Sequence, residues 1–104
     1  MASIVFTAPR HLEPNVVMTW APGVLFIANR FNHLGKGEYV YVCNRNRILY
    51  RARYQETVFL DTKDTIDGEH RGPGWALRVG EPELPPREIV RRCSHPTYLD
   101  EELW

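Results

Sequence analysis

The sequence predicts a mainly β fold, a small barrel of five to six strands with one or two short helices. Three observations carry this. Short runs rich in β-branched and aromatic residues recur between Gly, Pro and Asn clusters. The stretch Glu38 to Gln55 alternates along its length around Asn44-Arg45-Asn46, as a hairpin does. Helical spacing is confined to two short stretches. With 104 residues, 43% hydrophobic and 25% charged, the chain can bury one core and is too short for two, so residues 1–104 read as a single domain. Closing the strands into a barrel would remove the exposed edges that invite aggregation.

Taken in order, Ser3 to Thr7 is a β-branched and aromatic run closed by Ala8-Pro9, and it is the first strand. Glu13 to Trp20 carries Val16, Val17 and Trp20 at helical spacing, and Pro14 suits a first helical turn. One short helix is expected there. Val24 to Arg30, bounded by Pro22-Gly23 and by Asn32 to Gly37, is the second strand. Glu38 to Cys43 places Tyr39, Tyr41 and Cys43 on one face and Val40 and Val42 on the other, and two asparagines tolerant of positive φ follow. The chain should return as Arg47 to Gln55, with Ile48, Tyr50, Ala52 and Tyr54 on an apolar face. Arg47, Leu49, Arg51, Arg53 and Gln55 would share the other.

Thr57 to Asp61 extends or kinks this strand, and the polar stretch Thr62 to Gly74 reads as a loop. Trp75 to Val79 alternates again, with Trp75, Leu77 and Val79 on one face. Gly80 to Pro86 is a proline-rich crossing, and Arg87 to Arg91 is a candidate edge strand. Thr97, with Asp100 three residues on, opens a predicted short helix over Tyr98 to Leu103, packed by Leu99 and Leu103.

Thirteen Lys and Arg balance thirteen Asp and Glu, so the chain as a whole has no field that would draw it onto DNA or an acidic membrane. The balance conceals two unequal halves. Residues 1–60 hold seven basic and three acidic side chains, a net of +4, while residues 61–104 hold six and ten, a net of −4. Either the halves neutralise each other across the fold or the first presents a basic face. The longest apolar run, Val24 to Ala28, is far too short to span a membrane. Cys43 and Cys93 are too few for a disulfide scaffold, and the opening MASIVFTAPR lacks a basic segment followed by an apolar one. A cytoplasmic protein with two unbridged cysteines is expected, with Cys43 buried.

Three segments resemble the ASCH domains of the PUA-like superfamily. Glu13 to Arg30 resembles the pattern of a helix followed by Gly-x-Lys-Thr-x-Glu-x-Arg and a strand. Leu34-Gly35-Lys36-Gly37-Glu38 before Tyr39-Val40-Tyr41-Val42 is similar to the Gly-Asp turn that enters the barrel. Gly74 to Val79 and then Leu84-Pro85-Pro86 look like the closing strand and its proline turn. The resemblance implies a PUA-like (ASCH-like) barrel whose cleft, between the short helix and the strands, holds a base. By position it implies Trp20, Asn29, Arg30 and Trp75 as pocket candidates.

The departures from that pattern bear on activity. Gly23 and Arg30 agree with it, but Leu25 stands at the lysine, Phe26 at the threonine and Ala28 at the glutamate. Amidohydrolases and nucleases of the family need those polar groups as base, nucleophile and charge partner, and apolar side chains cannot supply them. Replacements are thin. Cys43 with His33, His70 or His95 would make a thiolate and imidazole pair, yet Cys43 alternates with tyrosines, as a small buried hydrophobe does. Cys93-x-His95 lacks the second pair that a zinc site needs, and Glu69-His70-Arg71 reads as a solvated loop. No catalytic residue, metal or cofactor is assigned.

A binding surface is the stronger candidate. Arg45, Arg47, Arg51 and Arg53 cluster on the hairpin, and the last three share a face that should look outward. Guanidinium groups contact phosphates and stack on bases, so RNA or single-stranded nucleic acid is one ligand class, with Arg30 and Lys36 extending the patch. The ordinary alternative is a solvated basic face on an exposed strand. A different function class also fits: a non-catalytic protein-interaction or inhibitory adaptor that uses the acidic second half and Trp104. A membrane partner is not expected.

Overall fold

A computed structural model describes residues 3–27, 35, 37–60, 64–66, 69–71, 74–92, 97–99 and 102–104. In chain order they form β1 (Ser3–Thr7), α1 (Pro14–Val17) running into a 3-10 turn (Met18–Trp20), β2 (Gly23–Ile27), β3 (Tyr39–Asn44) and β4 (Arg47–Leu60). β5 (Asp64–Ile66), β6 (Glu69–Arg71), β7 (Gly74–Val79) and β8 (Thr97–Leu99) follow. The fold is mainly β, as the residue pattern predicts. Among the described residues no helix is long and apolar enough to cross a membrane.

Six strands make one mixed sheet in the order β2-β7-β4-β3-β1-β8, in which β1 lies parallel to β3 and the other pairs are antiparallel. The 14-residue β4 joins its two parts. Its first half pairs with β3 and its second half with β7. Beyond β7 the chain continues along the same edge of β4, where Gly80 N–H donates to Arg53, Arg51 exchanges backbone bonds with Glu83, and Ile48 N–H donates to Ile89. The candidate strand Arg87 to Arg91 is therefore present only as this bridged crossing.

The expected barrel does not close. β2 reaches the sheet through β7 at the far half of β4, and β8 reaches it through β1 at the other end. Closure would require these two edges to meet, and each is tied to a different half of a strand that serves both parts. The predicted helix over Tyr98 to Leu103 is also absent as such. Thr97–Leu99 forms β8 instead, because β1 has a second edge and backbone groups left unpaired there would cost more than a marginal short helix gains. The polar stretch read as a loop contains the β5–β6 hairpin.

Two packed layers cover the sheet. On one face Ile4, Phe6, Val40, Val42, Tyr50, Ala52, Leu77 and Val79 meet Val17, Trp20 and Ala21 from the helical segment. Trp20 sets its ring edge against Phe6, with centroids 6.1 Å apart. On the other face Val5, Tyr41, Cys43, Ile48 and Leu99 pack with Ile89, Leu103 and Trp104. Strand β3 is thus buried on both sides. A bulge opposite Val42 and Cys43 lets Leu49 slip, so Ile48 joins Cys43 rather than Tyr50. Strict alternation had placed Ile48 and Tyr50 together.

The tight turn between β3 and β4 has positive φ at Arg45 (53°) and Asn46 (62°). Two left-handed residues match the twist of a two-residue hairpin. The expectation for Cys43 is half right. It is fully buried, but it is disulfide-bonded. Cys93, the only other cysteine in the sequence, lies outside the described residues.

Candidate binding surface

The hairpin β3–β4 carries the arginines, and its bulge and tight turn decide where each one points. Arg45, at the turn, is exposed. Its Nε donates to the Arg10 carbonyl at 3.0 Å and its Nη2 lies 3.5 Å from Glu13 Oε1. Arg47 is exposed as predicted and pairs with Glu88 at 3.0 Å. Arg53 is exposed as predicted, donates to the Gly37 carbonyl at 2.8 Å and lies 4.6 Å from the Tyr39 ring centroid.

Arg51 departs from the prediction. Its side chain is only 10% exposed, on the same face as Tyr39 and Tyr41, where the crossing from β7 and the segment Glu102–Trp104 cover it. Outward alternation fails here because that face of the sheet is a second packed layer. An arginine can lie in such a layer only with its charge paired.

That pairing is built from three elements. Nε and Nη2 of Arg51 both donate to Glu83 Oε1, at 3.2 and 3.1 Å, and Nη1 donates to Glu102 Oε1 at 2.9 Å. The guanidinium lies 3.9 Å from the Tyr39 ring centroid and 4.8 Å from that of Trp104. Trp104 in turn meets Tyr41 with centroids 5.3 Å apart, and Leu103 N–H donates to the Tyr41 hydroxyl at 3.2 Å. Burial by itself pulls the Arg51 pKa down, yet hydrogen bonds to Tyr41, Glu102 and Glu83 outweigh it and leave the pKa raised. The guanidinium therefore stays charged across the neutral range.

Glu83, Glu88 and Glu102 all come from the acidic second half of the chain. The two halves neutralise each other at Arg47 and Arg51, which is the plainer of the two readings of the charge asymmetry. Glu83, Glu102 and Tyr39 were not singled out from the sequence. The signal for them was that acidic excess together with the Tyr39 and Tyr41 alternation.

The other candidates disperse. Trp20 is a core residue, whereas Trp75 is half-buried and packs edge-on against Phe59 at 5.3 Å. The two indoles have different neighbours. Asn29, Arg30 and Lys36 lie outside the described residues, as do Ala28, His33 and His95. Leu25, at the position where the resemblance expects a lysine, is buried core. Glu69, His70 and Arg71 lie in β6 rather than in a loop. Among the described residues no three His, Cys, Asp or Glu side chains gather as metal ligands. No family model, curated protein or solved structure matches this chain.

Proposed function

We propose that this chain is a non-catalytic protein-interaction module that binds an extended peptide segment on the β3–β4 face. One observation carries the reading: a buried, paired arginine beside the Tyr39 ring meets the Glu102 carboxylate and the Trp104 indole while the neighbouring Tyr41 hydroxyl accepts the Leu103 N–H, so three consecutive residues, Glu102–Trp104, are engaged. Charge-assisted hydrogen bonds and aromatic anchors are how peptide sites gain both affinity and register. The nucleic-acid reading is correspondingly weaker, because Arg45, Arg47, Arg51 and Arg53 are each engaged by an acceptor of this chain. The ASCH resemblance stays with that weaker reading. The disulfide at Cys43 favours an oxidising compartment over the cytoplasm.

The test is a titration of labelled single-stranded RNA, duplex RNA and DNA at low ionic strength. Phosphate contacts make affinity fall steeply with salt. The expected result is no salt-dependent binding. Salt-steep binding that is lost on replacing Arg47 and Arg53 by Gln would overturn the proposal in favour of a nucleic-acid module.

A further inference from the structure

Resting on the peptide-binding reading, we propose that Glu102–Trp104 is a resident competitor. The site takes an acidic residue followed two positions later by an aromatic one, supplied by a partner protein, and the chain's own segment holds the site until displaced.

The receptor side is fixed independently of its occupant. Glu83 engages Nε and Nη2 of Arg51, and Tyr39 lies against its plane at 3.9 Å, so the guanidinium keeps its orientation when the segment leaves. Only Nη1, the donor to Glu102, would be released. The occupant's carboxylate is loose by comparison, while Leu103 and Trp104 are partly buried against the same layer. The Arg51 side chain is 10% exposed, whereas that of Glu102 is 62% exposed. The middle residue is read through its backbone, because Leu103 N–H donates to the buried Tyr41 hydroxyl, and through its side chain, which packs against the layer of Val5, Tyr41, Cys43, Ile48 and Leu99. An apolar residue other than proline offers both the donor and the side chain. The third position is read by shape and charge, with the indole set edge-on to Tyr41 and close to the Arg51 cation. Acid, apolar residue, aromatic is therefore the pattern that the site recognises.

Tethering decides who wins. A segment joined to its own site acts at an effective concentration on the order of millimolar, so a partner making the same three contacts must exceed that level or add contacts elsewhere. Weakening the resident segment should open the site.

The experiment uses the full chain carrying Glu102→Gln and Trp104→Ala, beside the parent. The probe is a fluorescein-labelled peptide with the sequence of residues 97–104, followed by anisotropy. The double variant should bind it at least ~10-fold more tightly than the parent, and adding Arg51→Lys or Tyr39→Leu should reverse the gain. In the parent, the Trp104 indole N–H resonance of isotope-labelled chain should shift when unlabelled peptide is in excess, a readout that needs no substitution. Equal binding by parent and double variant would overturn the competition and leave the peptide-binding reading intact. No binding to either chain would overturn both. Binding indifferent to Arg51 and Tyr39 would overturn the assigned site.

Discussion

The Tyr50 hydroxyl donates to the backbone carbonyl of Val17 across 3.1 Å of buried interior, fastening the end of α1 to the first half of β4. Val17 and Tyr50 are both fully buried, so water cannot replace the bond. This contact holds the helical segment over the first face of the sheet. Replacing Tyr50 by Phe keeps the ring and strands the carbonyl, which should cost about 1–3 kcal/mol. The expected fall in thermal midpoint is roughly 4–8 °C for each kcal/mol in a domain of this size. An unchanged midpoint would mean that the hydroxyl contributes nothing to docking the helix.

Gly23 opens β2 three residues after Trp20 ends the 3-10 turn, and a Cβ built there would lie 2.8 Å from the Trp20 carbonyl oxygen. The obstacle is backbone and cannot rotate away. Gly23→Ala must therefore shift either β2 or the turn that carries Trp20, and overpacking of this kind costs about 1–3 kcal/mol. Denaturant unfolding of the variant should show a lower midpoint with an unchanged slope. Equal midpoints would show that the turn yields freely.

The strands were legible where local chemistry and burial agree. Ser3–Thr7 lies where its β-branched and aromatic run says, and the hairpin follows from alternation around Asn44 to Asn46. Thr97–Leu99 was misread because a capping pattern is local, while the free edge of β1 that recruits it is not. The same blindness affected Arg51. Period-two alternation separates two faces but does not say that both are covered, and here the 83–91 crossing and Glu102–Trp104 cover the second. The bulge at Leu49 then moved Ile48 across, which alternation alone cannot show. The acids of the candidate site were hidden for a like reason, since Glu83 and Glu102 reach Arg51 from distant parts of the sequence.

Cys43 is buried and disulfide-bonded, so a thiol reagent should leave it unmodified in the native chain until a reductant is added. Reduction should lower stability by about 2–5 kcal/mol, as loss of a native disulfide does in small domains. Mass spectrometry after alkylation, with and without reductant, reads the first outcome, and denaturant melts read the second. Alkylation of Cys43 in denaturant without reductant would restore the expectation of unbridged cysteines, since a buried free thiol is shielded in the folded chain.

Arg51 and Arg47 stand four residues apart on one strand and should answer the same substitution differently. Arg47 meets Glu88 in solvent, and an exposed pair of that kind contributes about 0–1 kcal/mol. Arg47→Gln should be nearly silent. Arg51 is buried, lies between Tyr39 and Trp104, and holds two carboxylates that are themselves 42% and 62% exposed. Because those partners can regain water, Arg51→Gln should cost about 1–3 kcal/mol, in the range of lost charged hydrogen bonds and below that of a fully buried pair. The sign of its pH dependence also follows. A cation whose folded pKa is raised contributes stability below its unfolded pKa and loses it only as pH climbs through the folded value. For Arg51 that window lies above the ordinary arginine value, far from neutral pH. The difference between parent and Arg51→Gln should therefore show no titration of Arg51 across the neutral and mildly alkaline range. Thermal melts of both variants at several pH values test this directly. Comparable losses from Arg47→Gln and Arg51→Gln would mean that the guanidinium in the aromatic cradle is no more than another surface charge, and the peptide-binding reading would lose its foundation.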